Sequence, residues 1–152
     1  MATDFDAELE SIFSERETRQ AKARHEAAQK TAATAAFEKA WTQLRTNVVM
    51  PALSAAADAL TRKGVKAGVG DLDHGVCLYI HLNDERLARG HAHEGQPYLA
   101  VVANANTQRI RFERNVSGSG RGDGLGDMHV DEVDIDTVKA KALTLIRELF
   151  SP

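Results

Sequence analysis

One cysteine, Cys77, is all that the 152-residue chain contains. An intramolecular disulfide is therefore excluded, and a reducing compartment is the expected setting. No apolar run approaches the roughly 20 residues needed to span a bilayer. The N-terminus, MATDFDAELE, is acidic where a secretion signal is basic and then apolar. An excess of charge of one sign is also lacking: a formal net charge of −3 gives no global pull toward nucleic acid or an anionic membrane. These absences lead to the expectation of a cytoplasmic protein with no membrane or nucleic-acid partner. The length suits one domain with an appended element.

Glycine and proline are missing altogether from residues 1–36. What is present there, Ala, Glu, Lys, Arg and Gln, favours helix. Phe5, Leu9, Ile12 and Phe13 form one short apolar stripe at helical spacing. Beyond Phe13 the stripe fades to alanines amid mixed charge, and no leucine-type heptad seam continues it. Such a helix has little to bury in its own domain, so residues 1–36 read as an exposed helical extension. It either meets solvent, packs on a second chain or frays. From Phe37 the helix gains a thick apolar face through Trp41, Leu44, Val48, Val49, Leu53, Ala56 and Leu60. Pro51, which lacks an N–H, is expected to kink or split it near Asn47 to Met50. Gly64 is a natural residue to end it, with Arg62 and Lys63 suited to the negative pole of the helix.

The middle of the chain alternates with period two. Strands are expected at 65–69, 75–82, 97–103 and 109–114, with DLDHG as a hairpin connection. PYLAVVA is apolar on both faces, as a central strand would be. SGSGRGDGLGD, residues 117–127, has glycine at every second position and reads as a flexible loop. A last strand or extended lead-in is expected over 128–135. Asp134 or Asp136 then caps an amphipathic helix, 137–150, built on Val138, Ala142, Leu145 and Leu149. Consecutive strands without crossover helices imply an antiparallel four- or five-stranded meander. The fold class is α+β, in one domain over 37–152 with helices covering one face of the sheet.

The chemistry-bearing motifs are few. In GHAHEG, His91 and His93 project to one side of an extended segment. Two imidazoles can chelate a divalent metal if a third ligand joins them, with His81, Glu94 and His129 as candidates. The spacing matches no specific zinc signature. The glycine segment is neither a phosphate cradle nor a dinucleotide fingerprint. Asp123, Asp127 and Asp131 stand four apart, which is not calcium-loop spacing. RGD at 121–123 reads as coincidence in a cytoplasmic protein. Arg109 and Arg111 share one strand face and can grip a partner's anions, but Phe112 points the other way and Glu113 interrupts the stripe. Cys77, on a strand, lacks an adjacent base.

No convergent catalytic set emerges and no cofactor is implied. The sequence supports a non-enzymatic interaction module: regulatory, adaptor or chaperone-like. It would bind another protein or itself, as a homo-oligomer, through Phe5, Leu9, Ile12 and Phe13 or through Arg109 and Arg111. The alternative is a metal-binding protein or metal-dependent enzyme on His81, His91, His93 and Glu94.

Overall fold

The computed structural model describes residues 2–82, 96–116 and 122–151. The chain divides into two compact units, Met1–Ala36 and Phe37–Pro152. Helix α1 (Ala2–Leu44) supplies all of the first unit and the first turns of the second. Within the first unit every side chain from Asp4 to Ala33 is exposed, so helix there rests on propensity and not on a buried face.

In the second unit α1 passes through a π-helical turn (Arg45–Val49) into α2 (Met50–Arg62). Counted along an uninterrupted α-helix, buried Phe37, Trp41 and Leu44 fall about 130° away from buried Val49, Leu53 and Leu60. The π turn takes up one extra residue, about 100°, and that brings the two sets to within about 30° of one another, on one core. Met50 N–H bonds back to Arg45 O, five residues earlier. The α-helix is thus interrupted just ahead of Pro51, where a kink or split is expected, and Pro51 itself sits in the first turn of α2, where its missing N–H costs little. The other end of α2 closes as a Schellman motif: Val65 N–H donates to Leu60 O (2.9 Å) and Gly64 N–H to Thr61 O (3.0 Å). Gly64 has φ +86°, the left-handed conformation that glycine adopts without strain.

Five strands follow as an antiparallel meander in spatial order β1-β2-β3-β4-β5. They are β1 (Lys66–Leu72), β2 (Gly75–His81), β3 (Tyr98–Asn104), β4 (Arg109–Asn115) and β5 (Asp123–His129). Leu78 and Leu99 are cross-strand partners, as are Val101 and Phe112, and all four are buried. Helix α2 lies over β1 and β2, and the closing helix α3 (Ile135–Phe150) lies over β3 and β4 beside α2. The core fills this one side of the sheet, with Phe112, Leu53, Ile80, Ile110 and Leu145 fully enclosed.

Strand β5 departs from the sequence expectation. The last strand comes from the glycine segment itself, while Val130–Glu132 is a 3₁₀ turn. Glycine forgoes side-chain packing but keeps its backbone donors and acceptors, which suffices at a sheet edge. A bulge places Leu125 and Gly126 opposite Phe112 alone, and Gly126 has φ +92°. Lys141 Nζ, on α3, donates to Leu125 O (2.8 Å) and holds the strand down. Residues 117–121 lie outside the described residues.

Of the two capping candidates, Asp134 is used: its Oδ1 accepts from Thr137 N–H and Thr137 Oγ1–H, both at 2.7 Å. The hydroxyl bond first, then the backbone N–H, holds the Asp134 carboxyl below its ordinary pKa. A lowered folded-state pKa means that the cap's stabilisation is present above the unfolded carboxyl pKa and lost as pH falls through the lowered value. Asp134→Ala will therefore lower the melting temperature at pH 7, and the gap to the native chain will close in acid. A gap of equal size in acid would show that the carboxylate is not what caps α3.

Candidate functional site

Two surfaces of the second unit concentrate the remaining chemistry. The first is the sheet face turned away from the helices. Antiparallel register places Cys77 beside Ala100, Tyr79 beside Tyr98, Ala100 beside Glu113 and Tyr98 beside Asn115. The rings of Tyr79 and Tyr98 are tilted, with centroids 6.2 Å apart. Gly68 on β1 stands opposite Tyr79, and Gly70 opposite Cys77. The chain leading into β5 also closes on this patch. A Cβ added to Gly122 would meet Arg114 O at 2.6 Å and Tyr98 Oη at 3.1 Å, so only glycine fits.

In this patch Cys77, Ala100 and Asn115 are buried, and Tyr79, Tyr98 and Glu113 are half-buried. Cys77 is 1% exposed. Burial pushes its thiol up to about 12, with nearby Glu113 adding to the rise and the hydrogen bond to Tyr79 opposing it. Burial likewise raises the phenols of Tyr79 and Tyr98 above their ordinary value, next helped by Cys77 for Tyr79 and by Glu113 for Tyr98. At neutral pH the thiol and both phenols keep their protons, so Cys77 offers no thiolate for attack.

Arg109 and Arg111 stand on this same face toward the β5 edge, and Phe112 points into the core. Arg109 Nε is engaged with Asp127 Oδ1 at 2.9 Å, whereas Arg111 is exposed, with Asp127 as its cross-strand neighbour. Arg114 lies on the opposite face, where it pairs with Glu148 of α3.

His81 ends β2 opposite Lys66, while His91, His93 and Glu94 lie outside the described residues. His129, a further metal-ligand candidate, sits on β5, three strands away from β2. Strand spacing separates the two by about 14 Å across the sheet, too far to share an ion. His129 Nδ1 instead accepts from Asp131 N–H at 3.3 Å. Among the described residues no group of three His, Cys, Asp or Glu side chains is placed to hold a metal.

The second surface is a groove of about 470 Å³ between α2 and α3. Its floor is Ala55, Ala56, Ala59, Ala142, Leu143 and Ile146, and three bases, Arg62, Lys63 and Lys139, stand on its rim. Leu143 is 49% exposed although it belongs to a helix that buries Val138, Ala142 and Leu145. This groove was not anticipated from the sequence. Its signal was there in the alanines at 55, 56 and 59 and in Leu143, an apolar residue off the buried stripe of α3.

In the first unit, Phe5, Leu9, Ile12 and Phe13 are 64%, 37%, 56% and 54% exposed. They span about 100° of the helix circumference, a single face. Among the described residues no helix is long and apolar enough to cross a membrane.

The fold and these surfaces define an α+β domain with a helical extension. No family model, no curated protein and no solved structure matches the chain.

Proposed function

We propose that this chain is a non-enzymatic protein-interaction module, regulatory, adaptor or chaperone-like, that works in the cytoplasm and associates through its N-terminal helix. The observation that carries this reading is the exposed stripe of Phe5, Leu9, Ile12 and Phe13 on a helix that buries none of its side chains from Asp4 to Ala33. Large apolar side chains grouped on one exposed face mark association surfaces. Burying each is worth about 1.5–3 kcal/mol, a drive that exceeds the ordering cost of a single helix face only when several act together. The buried, protonated Cys77 and the tyrosines beside it supply no reactive group, which favours binding over catalysis.

The test is to replace Phe5, Leu9, Ile12 and Phe13 together by serine in the full chain and record native mass spectra of protein drawn from its own cells. The native chain is expected to retain a partner or a second copy. The variant should lose it, with binding weakened about 100-fold or more, while its circular dichroism stays helical. A variant with unchanged mass and unchanged partners would refute the reading.

A further inference from the structure

We infer that the groove between α2 and α3 receives residues 5–13 of a second copy of this chain. The inference rests on the reading that the N-terminal stripe is an association surface, and it names what that surface meets. Two complementarities carry it. The first is size. The groove floor is built from alanines, with Leu143 and Ile146 at its side. Such a floor leaves room for bulky knobs from a third helix laid across it. Phe5, Leu9, Ile12 and Phe13 are knobs of that kind, and Phe5 to Ile12 spans about 10 Å along a helix.

The second complementarity is charge. Residues 4–13 carry four carboxylates, Asp4, Asp6, Glu8 and Glu10, and no base. The groove lining carries three bases, Arg62, Lys63 and Lys139, and no acid. Asp6 and Glu8 flank the apolar stripe on its two sides, about 160° apart around the helix. Docking the stripe on the alanine floor therefore turns one carboxylate toward each wall of the groove, with Lys63 on the α2 wall and Lys139 on the α3 wall. Opposite charges on the rim of an apolar contact set orientation and suppress wrong partners. Reciprocal exchange, each copy giving its tip and receiving its partner's, closes as a two-fold dimer.

Sedimentation equilibrium of the purified full chain over a range of concentrations tests this. The native chain is expected to exceed the mass of one chain as concentration rises. Asp6→Lys with Glu8→Lys should weaken association about tenfold, and Lys63→Glu with Lys139→Glu should do the same. The four changes combined should restore it, because every pair is then reversed and not removed. A native chain that stays single at all concentrations overturns the inference. So does a Lys63→Glu, Lys139→Glu chain that associates as the native one does. If association survives those groove changes but is lost in the serine variant of the stripe, the groove assignment fails and the stripe remains an association surface. Association that survives the serine variant removes both.

Discussion

Phe112→Ala will cost about 3–5 kcal/mol of stability in urea unfolding, among the largest effects of any single side chain here. Phe112 is fully buried where β4 meets the underside of α3. Its removal takes away the transfer energy of the ring and leaves a cavity that strands β3 and β4, held in register on both sides, cannot collapse into. A second loss is specific to this site. Lys141 Nζ stands 5.5 Å from the Phe112 ring centroid while donating to Leu125 O on β5. Deleting the ring removes the cation–π partner that helps to hold that lysine over the edge strand. Phe112→Leu, which keeps most of the volume, should cost markedly less. Hydrogen exchange at β5 should quicken in the alanine variant before the rest of the sheet responds. A loss under about 1 kcal/mol would mean that the core is not closed around this residue.

Inserting one alanine after Thr46 will be at least as damaging, although Thr46 and Asn47 are both exposed. The π turn already accommodates the one extra residue that keeps Phe37, Trp41 and Leu44 in phase with Val49 and Leu53. A further residue leaves no slack and turns the preceding helix by about 100°. Three buried side chains then swing off the core, two of them aromatics of which each is worth about 3–5 kcal/mol. Thr46→Ala is the control, and it should stay within about 0.5 kcal/mol of the native chain. Equal stability of the insertion and the control in urea would refute the phase argument.

The parts of this fold that could be read from sequence are those set by short-range signals. Period-two alternation through Val76, Leu78 and Ile80 marks a strand whatever surrounds it, and Gly64 after Arg62 and Lys63 marks a helix end. The α+β meander follows from the order of such elements. What escaped has a common cause. Pro51 marked an interruption near Asn47 to Met50, but the size of the phase shift at Arg45–Val49 depends on where two helical segments find the same core, which local propensity does not give. Strand β5 depends on backbone pairing with β4, which glycine allows without advertising. The choice of Asp134 over Asp136 turns on Thr137, whose N–H and hydroxyl both donate to Asp134. At the candidate sites the sequence marked Phe5, Leu9, Ile12 and Phe13, because large apolar residues on an otherwise charged helix stand out. It did not mark the α2–α3 groove, whose alanines look neutral until two helices are set side by side.

The glycines of the outer strands have a consequence for how copies of this chain can meet. Both edges of the sheet are glycine-bearing and charged: Gly68, Gly70 and Lys66 on β1, Gly124, Gly126, Asp123 and Asp127 on β5. Unpaired strand edges are templates for adding strands from other chains, the route to amyloid-like growth. A bulge, left-handed glycine and like-charged carboxylates make β5 a poor template. Strand addition is thereby discouraged at the β5 edge, where a growing sheet would otherwise find a ready row of backbone donors and acceptors.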